Sequence, residues 1–138
     1  MTATITITNP ILSGMNPDPS WIWDDEFQRI VLVTSTFELV PGLPIYVSED
    51  MTCWKHVSNV VDADLARRLL IPFVDDSGGV YAPTLRRIHG KYVIACTIAR
   101  LDDRRAMEGG CTESELMRFH AAEGNFILEA DSIEGPWH

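Results

Sequence analysis

Hydrophobic residues in this chain come in short bursts, and the bursts have the spacing of strands rather than of helices. Residues 29–34 (RIVLVT) form a β-branched run behind the polar, turn-like DDEFQ. Residues 44–48 (PIYVS), 92–97 (YVIACT) and 125–129 (NFILE) are similar in length and character, and residues 5–8 alternate isoleucine with threonine. Turn-forming residues separate the bursts at 16–19, 41–42, 75–79, 89–90 and 134–136. Only residues 63–70 and 113–120 read as helices, each of one or two turns. Strands this short and this frequent predict an all-β architecture.

The bursts also repeat. DPSWIW, RIVLVTST and PIYVSEDMTCW follow one another in the first half; APTLRRI, HGKYVIACTI and NFILEADSIEGPW follow in the second. Each unit opens a strand with Pro-Ser or Pro-Thr, continues into a β-branched strand that reaches a threonine, and ends on an acidic turn and a tryptophan. The opening prolines, Pro19 and Pro83, are 64 residues apart, whereas Trp54 and Trp137 are 83 apart. The second unit therefore carries an insertion, placed at residues 101–122 and expected to be irregular or partly helical. Multi-strand repeats of this length with a periodic aromatic point to propeller blades, each an antiparallel four-stranded sheet. Two such units do not close a ring, so the chain is expected to be about two blades of a larger domain.

Composition narrows the partners. Eleven basic residues against twenty acidic ones give a formal charge of −9, which argues against nucleic acid and anionic membranes as ligands. No stretch has the apolar length of a membrane-spanning helix. The first residues, MTATITITNP, lack the basic and apolar regions of a secretory signal, so the expected location is cytoplasmic. Three cysteines without CxxC spacing predict free thiols, and the four histidines have no metal-ligand spacing, so neither metal nor cofactor is expected.

Four collinear segments carry a resemblance. NPILSGMNPDPS (9–20), STFELVPGLPIYVSEDMTCW (35–54), DSGGVYAPTL (76–85) and GNFILEADSIEGPW (124–137) together resemble glycoside hydrolase family 43, the xylosidases and arabinofuranosidases. The resemblance implies a five-bladed β-propeller, with residues 1–138 as the N-terminal part of one catalytic domain. It implies inverting hydrolysis of terminal β-1,4-xylosyl or α-L-arabinofuranosyl units, with a small xylo- or arabino-oligosaccharide as partner. Asp18 matches the family's catalytic base. Pro17 and Pro19 flank it, which predicts an extended, stiffly held Asp18 able to aim its carboxylate.

Inversion needs a second carboxyl about 6.5–9.5 Å from the base, so that water fits between them. In the family this acid comes from a later blade, which leaves this chain with half of the hydrolytic pair and predicts no useful turnover by the 138 residues alone. A third family carboxylate raises the pKa of the acid by like-charge repulsion. Ala122 stands in its ungapped place and Glu123 beside it, so Glu123 is the candidate. Phe37 and Tyr81 match aromatic positions of the sugar pocket, where a ring's C–H face packs well. Thr36 and Asn125 are candidate donors to sugar hydroxyls, and Gly78 and Gly79 allow a tight turn into the pocket. The alternatives are a non-catalytic sugar-binding remnant and an inactive fragment lacking the acid.

Overall fold

The computed structural model describes residues 4–138. Its first sheet runs in simple order through β1 (Ser20–Asp24), β2 (Arg29–Val33), β3 (Gly42–Ser48) and β4 (Lys55–Val61), all antiparallel. Helix α1 (Ala63–Arg68) and a 3-10 turn at Ile71–Phe73 lead into the second sheet. That sheet is β5 (Val74–Ile88), β6 (Lys91–Leu101) and β7 (Asn125–Ala130), again antiparallel and in chain order. Between β6 and β7 stand α2 (Asp103–Glu108) and α3 (Glu113–Ala121), so the predicted insertion is two short helices. Asp62, Asp102 and Thr112 cap the three helices with side-chain oxygens, and Thr112 forms a reciprocal capping box with Glu115.

The structure departs from the sequence expectation in three places. The second sheet has three strands rather than four. Beyond β7 the chain turns back, and Glu129 and His138 exchange both backbone hydrogen bonds, at 2.8 and 3.1 Å. Residues 5–8 are not a strand but exposed irregular chain: alternation alone cannot hold a strand that has no partner to pair with. Conversely, β4 and the 15-residue length of β5 were not foreseen, because KHVSNVV is largely polar and Pro83 interrupts β5. Pro83 is accommodated where the β5–β6 register shifts between Tyr81 and Thr84, as expected of a bulge.

The two sheets pack through their alternating apolar positions. Val31, Val33 and Ile45 of the first meet Val80, Leu85, Tyr92, Ile94 and Leu128 of the second, all buried. Each such side chain contributes roughly 1.5–3 kcal/mol on burial. On β1, Ser20 and Asp24 bond to the second sheet, while the intervening Trp21 and Trp23 point away and are exposed. Ile88 and Ile127 of the second sheet are exposed as well.

The antiparallel order also sorts the connections. Segments 34–41, 62–73 and 102–124 emerge at the end of the sheets where β1 begins. The tight turns 25–28, 49–54 and 89–90 lie at the other end.

Candidate active site

Asp18 precedes the first residue pair of β1 and Ala82 occupies the matching position in β5. Each is followed by proline and a hydroxyl residue, and each adopts the same left-handed backbone, φ 49° for Asp18 and 48° for Ala82. The internal repeat is thus a repeat of backbone geometry. Asp18 was expected to be extended, as residues before proline usually are; the structure places it in the region where Asp and Asn are the most tolerant side-chain-bearing residues. Such strain persists only where neighbours enforce it. Here the Ser35 N–H donates to the Pro17 carbonyl at 2.9 Å.

Ser35, which the sequence reading did not single out, is the hub. Its hydroxyl donates to Asp18 Oδ2 at 2.8 Å and accepts from the Ala82 N–H at 2.8 Å. Those three residues come from positions 17 and 47 apart along the chain, so nothing local in the sequence marks the link. Ser35 itself is fully buried, whereas Asp18 is exposed. Asp18 Oδ1 receives no hydrogen bond among the described residues, so one carboxylate oxygen is fixed and the other is free.

The aromatic wall lies beside this hub. Phe37 and Tyr81 have ring centroids 4.8 Å apart at an interplanar angle of 51°, a tilted contact of the favourable kind. Phe37 also pairs with Val80 through two backbone hydrogen bonds, 3.2 and 2.9 Å. That approach needs Gly79: at its φ of +100°, a Cβ would sit 2.2 Å from the Phe37 carbonyl oxygen. The Tyr81 hydroxyl donates to the Ser77 carbonyl, which pins its ring over the turn.

The other sequence candidates fall at varying distances from this centre. Asn125 is exposed and opposite Thr97, which is itself opposite Tyr81. The three therefore form a row across the sheet, with Asn125 about 10 Å from Tyr81 by strand spacing. Thr36 is buried, and its hydroxyl oxygen accepts from the Leu43 N–H at 3.2 Å; it supports the 36–43 turn from beneath. Glu123 is exposed in the turn after α3, at φ 52°, and its carboxylate has no hydrogen bond or ion pair among the described residues.

Cys96 completes the underside. Its thiol donates to the Tyr81 carbonyl at 2.9 Å, and it is pushed up to about 12, mainly by burial and in smaller part by the Asp18 carboxylate. It stays a neutral packing group at ordinary pH. All three cysteines are free.

A carboxylate fixed by one oxygen, next to an aromatic wall and at the loop end of paired antiparallel sheets, is an arrangement suited to a protein that handles sugar rings. The chain belongs to the glycosyl hydrolases family 43, whose family model matches residues 7–138. It is 36% identical over 134 residues to the non-reducing end α-L-arabinofuranosidase BoGH43B of Bacteroides ovatus, covering 96% of this chain and 21% of that protein. It is 35% identical over 136 residues to a xylan 1,3-β-xylosidase of Vibrio, covering 97% of this chain and 22% of that one. Among solved structures, the GH43B protein of the Bacteroides ovatus xyloglucan locus superposes with a TM-score of 0.72 at 33% identity, over 96% of this chain and 22% of its own. The chain thus spans about a fifth of the length of the curated relatives it matches.

Proposed function

We propose that the protein acts as a glycoside hydrolase that removes terminal β-1,4-xylosyl or α-L-arabinofuranosyl units from small oligosaccharides with inversion. Asp18 is the general base in this reading. The observation that carries it is the half-occupied Asp18 carboxylate, held by Ser35, whose hydroxyl also bonds Ala82, the residue next to Tyr81 of the Phe37–Tyr81 pair. A sugar ring resting on the Phe37–Tyr81 wall would present its anomeric carbon toward the free Oδ1, with a water between. The base takes a proton from that water as it attacks, and a separate carboxylic acid protonates the departing oxygen. The two sheets are, in this reading, two blades of a five-bladed propeller. The exposed Trp21 and Trp23 on one outer face and Ile88 and Ile127 on the other support further blades on both sides.

A binding-only role is the second reading. It is favoured by the lack, among the described residues, of a second carboxylate bonded into the Asp18–Ser35–Ala82 network.

The test is to incubate the natural gene product with xylobiose and with arabinofuranosyl oligosaccharides and to follow the first-formed sugar anomer by NMR. Release of a terminal unit with inverted configuration is expected. Retained configuration would overturn the mechanism, and saturable binding without release would favour the second reading.

A further inference from the structure

A cleft of about 380 Å³ lies between α1, α3 and the start of β7, lined by Arg68, Leu69, Leu70, Ile98, Phe119 and Phe126 with Glu115, Arg118 and Gly124. It opens at the same end of the sheets as Asp18, because the connections bearing α1 and α3 both emerge there. Its lining is largely apolar, with Arg68 and Arg118 as its cationic residues; Arg68 also borders a neighbouring cleft that Asp62, Asp64 and Glu134 line.

Arg29, Arg87 and Arg104 pair with carboxylates, and Arg67, Arg86 and Arg105 donate to backbone carbonyls. Arg68 and Arg118 have neither kind of partner among the described residues, a property they share with Arg100, which does not line the cleft. The one carboxylate in the cleft wall, Glu115, has its Oε2 engaged by Thr112, accepting from the N–H at 2.7 Å and from the hydroxyl at 2.8 Å, and its charge also acts on Arg118. The end of α3 does not oppose an anion with free acceptors either. The carbonyls of Arg118, Phe119, His120 and Ala122 accept from the N–H groups of residues 122–125. Gly124 lets the chain pass close against Ile98, since a Cβ there would stand 2.3 Å from the Ile98 carbonyl oxygen and 3.2 Å from the Phe119 ring.

We propose that this cleft binds a carboxylate-bearing ring, namely a uronate sugar, presented as a substituent or neighbouring unit of the oligosaccharide read at the Asp18 end. Guanidinium groups recognise a carboxylate through paired, charge-assisted hydrogen bonds, and the Phe119, Phe126, Leu69 and Ile98 surface matches a ring's C–H face. The volume suits one such ring. The choice of a sugar as the carrier of the carboxylate rests on the glycosidase reading; the two free guanidinium groups do not.

The experiment titrates the natural gene product calorimetrically with D-glucuronate, with D-glucose as the neutral ring and with inorganic phosphate as the ringless anion. Glucuronate should bind saturably, and Arg68→Ala and Arg118→Ala should each weaken it by about tenfold, the loss of a charge-assisted hydrogen bond. Glucose should bind at least about tenfold more weakly than glucuronate, and added salt should weaken glucuronate further. Both arginines are exposed, so their truncation leaves the core untouched, and thermal melting verifies this.

Unchanged glucuronate affinity in both variants overturns the site. Equal binding of glucose overturns the role of the carboxylate, and phosphate binding as tight as glucuronate with the same arginine dependence overturns the ring. Hydrolysis of a neutral aryl xyloside should be unchanged in both variants. A protein that binds glucuronate through the arginines but hydrolyses nothing would sink the glycosidase reading and leave the cleft standing.

Discussion

An aspartate closes strand β1 and another lies two residues before it, and the two live in opposite surroundings. Asp24, at the tight-turn end, is completely buried. Its Oδ1 accepts from Arg87 at 2.5 Å, its Oδ2 accepts from the Tyr92 hydroxyl, and Arg29 Nε stands 3.8 Å away. Asp18, at the loop end, is exposed, strained in its backbone and bonded through one oxygen only. A buried carboxylate with both oxygens engaged joins the two sheets but is out of reach of water. One that is aimed and half-free can accept a proton from water. The same residue type, six positions apart in the chain, thus serves cohesion at Asp24 and, in the reading proposed above, chemistry at Asp18.

The largest expected effect breaks the chemical end. Asp18→Asn keeps the Ser35 contact but removes the base, so kcat for a natural xyloside or arabinofuranoside should fall by about a hundredfold to ten-thousandfold, while the urea midpoint stays near wild type. Turnover within a few-fold of wild type would remove Asp18 from the mechanism.

The mirror-image change, Asp24→Ala, should do the reverse. Removing one partner of a buried ionic cluster costs about 3–5 kcal/mol, because Arg87 and Tyr92 lose their common acceptor and Arg29 its nearby counter-charge. Urea unfolding measures this loss. Protein that remains folded at low temperature should retain most of its activity per folded molecule; a selective collapse of kcat would contradict the division of labour between the two ends.

Much of this contrast was unreadable in the sequence, for a definable reason. The strands Arg29–Val33 and Asn125–Ala130 and the Pro19/Pro83 repeat are local patterns, and they were legible as period-2 runs and turn dipeptides. Asp18 drew attention because its flanking prolines and the neighbouring motifs lie beside it, but its left-handed backbone was not readable from them. Ser35, Asp24 and Arg87 act through hydrogen-bond partners 17 to 68 residues away, and a lone serine or an acidic pair in a turn carries no trace of such pairing. Asp24 in particular belongs to the DDEFQ stretch, which reads as a solvated turn although its first carboxylate is the most deeply buried charge in the fold. Thr36 failed in the opposite sense. Its neighbours in the motif face the site, but alternation turns its own side chain beneath the loop.

A smaller effect is expected where the two functions touch. Ser35→Ala removes the hydroxyl that orients Asp18 and leaves the Ala82 N–H without its acceptor. Stability should drop by about 1 kcal/mol, and kcat by roughly tenfold to a hundredfold through misalignment of the base, with KM nearly constant. Ser35→Thr keeps the hydroxyl and should recover part of kcat. A change in KM alone would show that Ser35 serves binding rather than the orientation of Asp18.

The subtlest prediction concerns alkaline stability at the Asp24 end. The Tyr92 hydroxyl is pushed up to about 12, first by burial and then by its hydrogen bond and charge interaction with Asp24, with Arg29 and Arg87 partly offsetting the rise. An unfolded tyrosine ionises near 10. The folded protein therefore holds the Tyr92 proton more tightly than the unfolded chain does. Its contribution to stability is complete below about pH 10 and is lost as the pH rises through about 12. Cys96, raised by burial in the same way, adds a slope of the same sign, so the wild-type curve alone does not isolate the tyrosine. The difference between wild type and Tyr92→Phe does, because Cys96 and the lysines cancel. At neutral pH the variant should be less stable by about 1–3 kcal/mol, since Asp24 loses a buried donor. Urea midpoints at pH 8, 10 and 11 should then converge, with wild type falling toward the variant. Parallel curves over that range would mean that the Tyr92 hydroxyl ionises equally readily folded and unfolded, and that its bond to the buried carboxylate contributes nothing to holding the two sheets together.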